Sequence, residues 1–170
     1  MNNFQNSIKD KLEYIARPFK PEEYGQIIQV CSEIIAEDSD CYEAFSARSH
    51  VYYRLGMYTE ALCDVGRLIQ LRPKSPVAYI RRAGWYLERG EYGHALADAK
   101  VVIESGDEYF ANVAYFYRAM ASLNLGSKAD AMDACRNLPD DFKFYVKIYN
   151  AGGKVISRDD LCKLVNGENI

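Results

Sequence analysis

The chain has 170 residues, 21 basic against 24 acidic side chains, a net charge of −3, and a hydrophobic share of 49%. That is enough for one globular domain or a short repeat array, and the mildly acidic balance argues against the broad basic field that nucleic-acid binding needs. No run approaches the ~18 consecutive apolar residues of a membrane span, and the first residues lack the compact apolar stretch of a secretory signal, so a cytoplasmic protein with no membrane partner is expected.

The first predicted helix lies in "NSIKDKLEYIARPF", with Ile8, Leu12 and Ile15 on its apolar side. The next, in "KPEEYGQIIQVCSEIIAEDSD", takes Pro21 in its first turn and buries Ile27, Ile28, Cys31, Ile34 and Ile35. In "AFSARSHVYYRL", Phe45, Val51, Tyr52 and Leu55 fall at helical spacing. Gly56 sits where that helix should end, since glycine takes the left-handed cap conformation at little cost. In "TEALCDVGRLIQL", residues Ala61, Leu62, Val65, Leu68, Ile69 and Leu71 form another apolar face, which Pro73 stops.

This helix, turn, helix unit recurs. "YYRLGMYTEAL", "YLERGEYGHAL" and "SLNLGSKADAM" align on Gly56, Gly90 and Gly126, which lie 34 and 36 residues apart, and on Ala61, Ala95 and Ala131, five residues after each glycine. Ser49, Ala83 and Ala119 are small at the seventh residue before each glycine, which lets paired helices approach. The second copy is two residues longer and has Asp107 where the first has its proline; the third is cut short at Pro139. Beyond it, "DDFKFYVKIYNAGG" places Phe142, Tyr145, Val146 and Tyr149 at i, i+3, i+4 and i+7 and predicts a helix stopped by Gly152. The last helix starts at Ser157 as N-cap, with Asp160 three residues on and Ile156 and Leu161 placed as a staple.

Nothing in the sequence assembles a catalytic or metal-binding constellation. His50 and His94 lie in different copies, the five cysteines form no CxxC pair and read as reduced, mostly packed thiols, and "NAGGKV" lacks the phosphate-loop spacing. Asp159 and Asp160 read as first-turn helix charge, and Trp85 as a packed residue. No enzyme, cofactor or metal is expected.

The repeated pattern resembles the tetratricopeptide repeat. Its positions are filled by Phe45, Ser49, Tyr52, Gly56, Ala61 and Pro73, then by Tyr79, Ala83, Tyr86, Gly90 and Ala95, then by Tyr115, Ala119, Gly126 and Ala131. The resemblance implies an all-α, right-handed superhelical α-solenoid of about three repeats with flanking capping helices. It divides the chain into a degenerate first repeat or cap (1–41), repeats at 42–75, 76–111 and 112–139, and C-terminal capping helices (140–170). It also implies a concave groove lined by the first helix of each repeat. Carried over residue by residue, the partner-binding positions are Glu43, His50, Tyr53 and Arg54, then Val77, Ile80, Arg81, Leu87 and Glu88, then Val113, Phe116, Met120 and Leu123.

Ile80, Leu87, Phe116 and Met120 form an apolar patch if solvent reaches them; terminal helices folded into the groove would cover it. The five positions that grip a chaperone's C-terminal carboxylate in some members are here Ser46, His50, Arg81, Val113 and Tyr117, which argues against that clamp. The function expected is non-catalytic binding of a protein or peptide segment, as adaptor or chaperone, similar to small secretion chaperones in size. Two alternatives stay open: an immunity or inhibitor protein that neutralises a toxin or enzyme by direct binding, and a structural module that self-assembles as a homo-oligomer.

Overall fold

A computed structural model describes residues 7–148 and 152–169. It divides into two compact units, Met1–Ser75 and Pro76–Ile170.

The first unit holds α1 (Ile8–Ala16), α2 (Tyr24–Glu37), α3 (Tyr42–Arg54) and α4 (Tyr58–Leu71). Pro21 opens a 3₁₀ turn that runs into α2. Helix α1 packs on α2 and α3, α2 on α3, and α3 on α4. The core joins Ile15, Ile27, Cys31, Ile34 and Val51, as expected, with Val30 and Ala44 beside them; Ile8, Leu12, Ile28 and Ile35 pack on it half-buried, and Leu55 is exposed instead. Charged groups also enter the packing of this unit, Lys11 among them. Lys11 is nearly covered, and its ammonium lies 2.7 Å from Glu37 and 3.2 Å from Glu33. Hydrogen bonds to those two carboxylates hold it protonated above the ordinary lysine range.

The second unit holds α5 (Pro76–Glu88), α6 (Tyr92–Glu104), α7 (Glu108–Asn124), α8 (Lys128–Arg136), β1 (Lys143–Ile148), β2 (Gly152–Ser157) and α9 (Arg158–Asn166). Helices pack on their successors from α5 to α8, α5 also touches α7, and α9 packs on α8 and β2. The expected fold class, an all-α solenoid of consecutive helix pairs, is the one observed.

The turn after each first helix shows why glycine recurs. Gly56 has φ +76°; its N–H donates to the Tyr53 carbonyl, and the next N–H, of Met57, donates to that of Tyr52. This paired closure satisfies carbonyls the helix leaves open and requires a left-handed residue. The same two bonds close the turn at Gly90 and at Gly126. Asp107 replaces a proline stop with a positive start: its carboxylate accepts the N–H groups of Tyr109 and Phe110 and caps α7.

A second periodic feature was not anticipated. Arg48 donates two bonds of 2.8 Å to Asp64, and Arg82 two of 2.7 and 2.8 Å to Asp98. Each arginine bridges its own helix pair and stands over two rings, Phe45 and Tyr52 or Tyr79 and Tyr86, at 5.6–5.9 Å.

The structure overturns one expectation. Residues 142–148 do not form a helix; β1 pairs antiparallel with β2, Phe144 opposite Ile156 and Tyr145 opposite Val155. Gly152 is therefore a strand residue opposite Ile148 rather than a helix stop. "KFYVKI" fits a helical stripe but also alternates, and aromatic and β-branched residues favour the extended form. The alternation sends Phe144 and Ile156 inward while Tyr145 and Val155 stay exposed. The expected Tyr149 lies outside the described residues. Helix α9 starts as expected: Ser157 and Asp160 form a capping box, and Ile156 and Leu161 share the core.

Candidate functional site

In the first unit, α3 carries four of the expected partner-binding residues. Glu43 is exposed and accepts a bond of 3.3 Å from Arg72. His50 is exposed, with the Phe19 ring edge-on at 6.2 Å. Tyr53 is half-buried against Tyr58, ring centroids 5.3 Å apart, and Arg54 is exposed in the last turn. These four side chains belong to one helix, α3.

In the second unit the expected residues separate into two groups. Ile80 is 8% exposed and joins Ala99, Val102 and Ala114 in a core cluster, with Val113 packed on it. Val77, Arg81 and Leu123 are half-buried. Phe116 is 2% exposed. Its ring stacks on Phe144 of β1 at 4.5 Å, with Phe142 at 6.0 Å. Ile80 and Phe116 are thus withdrawn from the surface patch expected of them, Phe116 because the hairpin lies over it. What lies on the ring is Phe144 of β1 and Phe142 just before it, with Leu161 and Val165 of α9 in the same core cluster.

The remaining expected residues meet in a pocket of about 210 Å³. Helix α5 supplies Leu87 and Glu88 one turn past Gly84, and α7 supplies Tyr117 and Met120 beside the buried Phe116. Strand β1 closes the pocket with Phe144 and Tyr145. Gly84 has a steric reason: a Cβ there would stand 2.8 Å from the Tyr117 hydroxyl, so a larger residue would push that ring away from α5. The Tyr117 ring also meets Phe144 edge-on at 5.8 Å. Burial, reinforced by the charge of Glu88, pushes the Tyr117 phenol up to about 12, so it stays neutral and able to donate.

The α5 and α7 walls were accessible from the repeat register. The β1 wall was missed because its segment was read as a helix; the alternation in "FKFYVKI" was the available signal. The cysteines show no such convergence on this pocket. Cys31 and Cys135 are wholly buried, each in its own unit, and burial pushes both thiols up to about 12, which suits packing and not reactivity. Among the described residues, no group of three or more His, Cys, Asp and Glu is arranged to hold a metal ion, and no helix is long and apolar enough to cross a membrane.

No family model matches the chain. Among curated proteins it is similar to the Protein SGT1 homolog of Oryza sativa subsp. japonica, 26% identical over 102 residues, a match covering 60% of this chain and 27% of that protein. The chain therefore spans about a quarter of that relative's length. Among solved structures it is similar to a MamA RS-1 ArsTM double mutant, at 18% identity and a TM-score of 0.64, over 76% of this chain and 70% of that one. At that identity the likeness is one of fold, an array of consecutive packed helix pairs.

Proposed function

We propose that this chain is a non-catalytic protein-interaction module, an adaptor or chaperone-like binder that holds a peptide segment of its partner. The observation that carries the reading is the pocket between α5, α7 and β1, where Leu87, Met120 and Tyr145 offer apolar surface beside the charge of Glu88. A repeat array has no deep catalytic cleft of its own, and such scaffolds bind through surfaces that adjacent helices share. Aromatic and methionine side chains at the rim suit an interface, because they bury large area with few polar groups left unpaired. Val77, Arg81 and Leu123 would extend contact along α5 and α7, and Glu43, His50, Tyr53 and Arg54 would offer a contact of their own on α3 in the first unit. Ile80, Val113 and Phe116 would support that surface from beneath.

The test is affinity capture from native cell extract with mass spectrometry, comparing the natural chain with a Leu87→Glu, Tyr145→Ala double variant. Both side chains are partly exposed, so helical circular dichroism should be unchanged while the partner is lost. A partner retained by the folded variant would move binding away from this pocket and favour the inhibitor reading through another face.

A further inference from the structure

We propose that the partner's segment docks as an extended strand on the open edge of β1, with apolar side chains toward the pocket alternating with acidic ones toward Lys143. The inference rests on the protein-binding reading and adds how the segment is held and what its sequence carries.

The pocket meets β1 along an edge. Successive residues of a strand point to opposite faces; Phe144 turns inward onto Phe116, while Tyr145 is 62% exposed. Both nonetheless line one pocket, to which no described residue of β2 contributes. A space that touches both faces of β1 and neither face of β2 lies beside the β1 backbone, on the side away from β2.

That side is a pairing edge. Among the described residues β1 has one strand neighbour, β2, and β2 packs in turn on α9. The register sets Lys143 opposite Ser157, and the Arg158 N–H donates to the Phe142 carbonyl at 3.2 Å. Pairs that exchange bonds alternate along an antiparallel ladder. Phe144 therefore turns its N–H and C=O to β2, and Lys143 and Tyr145 turn theirs to the outer edge. Such an edge is a template for another strand.

Charge chooses the occupant. The two strands carry Lys143, Lys147 and Lys154 and no acid, in a chain whose net charge is −3. Lys143 is exposed and forms no ion pair with a described residue. A second copy would set lysine-bearing strands against each other, and like charges across a ladder destabilise it. An acidic segment turns the same charges into attraction. On the other face the strand would meet the walls formed by Leu87, Tyr117 and Met120, so the side chains that alternate toward them are apolar.

The experiment is a titration of the full chain, followed by amide resonances and their exchange with solvent. The probes are acetylated heptapeptide amides: one alternating glutamate and valine, one alternating lysine and valine, and the glutamate probe N-methylated either at its valines or at its glutamates. The glutamate probe should protect the Lys143 and Tyr145 amides and bind roughly fivefold or more tightly than the lysine probe. Salt at about 0.5 M should narrow that gap, and Lys143→Glu should narrow it with the helix resonances unmoved. The N–H groups of a strand alternate between its two edges, so one methylated probe should bind like its parent and the other roughly tenfold or more weakly. Methylated probes that lose binding alike would overturn the proposal, as would equal binding of the lysine probe or unprotected Lys143 and Tyr145 amides. Protection that rises with the concentration of the chain alone would give the edge to a second copy and overturn it too. In each of those cases, a partner captured from extract and lost with the Leu87→Glu, Tyr145→Ala variant would leave the protein-binding reading standing alone; no captured partner would remove both.

Discussion

The second and third helix pairs lie in the same unit and share one backbone plan, yet they are fastened differently. In α5–α6, Arg82 grips Asp98 with two bonds between rings, and the Asp98 side chain is 7% exposed. In α7–α8 the equivalent arginine, Arg118, makes one bond of 2.9 Å to Asp133, whose side chain is 55% exposed. Two sequence changes account for this. The acid has moved one place earlier relative to the conserved alanine, and Ser122 stands where Tyr86 supplies a ring. The third pair compensates with carbon: Phe116 is clasped by Phe142 and Phe144. The glycine turn and the small residues fix how the helices cross, and either a shielded ion pair or an aromatic stack can then secure them.

The most severe way to break the comparison is to remove the aromatic clasp. Phe116→Ala should cost about 3–5 kcal/mol in denaturant unfolding, because a wholly buried ring leaves a cavity. Hydrogen exchange should show the loss centred on α7, α8 and the hairpin. Next come the arginines. Arg82→Ala strands a buried carboxylate and should cost about 2–3 kcal/mol, tempered because Arg82 retains some solvent. Arg118→Ala should cost no more than about 1 kcal/mol, as exposed pairs do. Equal losses from the two would refute the contrast. Gly84→Ala is of the same order: crowding of Tyr117 costs about 1–3 kcal/mol, while removing a helical glycine returns about 1 kcal/mol. Stability should fall by about 1 kcal/mol as the difference of those terms, with Leu87 and Tyr117 resonances displaced.

The gentlest test is acid. The hydroxyl and backbone N–H of Ser157 hold Asp160 below its ordinary value of 3.8. Its folded-state value is depressed, so the cap's contribution is complete above that range and is lost as pH falls through the folded value. Protection of the α9 amides, taken relative to the intrinsic exchange rate at each pH, should fall on acidification before that of α5–α7, and Asp160→Asn should abolish the difference.

The helix pairs were legible because their determinants are local. Gly56, Gly90 and Gly126 mark turns that only a left-handed residue closes, and Ala61, Ala95 and Ala131, all wholly buried, mark where helices meet. The Arg–Asp bridges were also written at the repeat's own period, Arg48 and Asp64 recurring as Arg82 and Asp98 34 residues on, but charged residues were weighed as groove or surface and not as fasteners. The hairpin was illegible for a physical reason. Phe142, Tyr145 and Val146 satisfy a helical stripe, and what decides for strands is the pairing of Phe144 with Ile156 and their burial against α7 and α9. The candidate site inherited that blindness: Leu87, Glu88 and Met120 came from the register, Phe144 and Tyr145 from tertiary packing alone.

The short reach of the Arg–Asp bridges has a mechanical meaning. Each spans 16 residues and grips the two helices of one pair with two bonds, while Arg48 adds a single bond of 2.9 Å to Ser32 of α2 in the pair before. A chain stretched from its ends would therefore yield in discrete steps, one helix pair at a time. Each step would release a contour of roughly 110–120 Å at ~3.3–3.6 Å per residue for a 34-residue repeat. The bidentate, ring-shielded bridges would act as the stiff catches in that sequence, and a force trace would read them out as separate peaks.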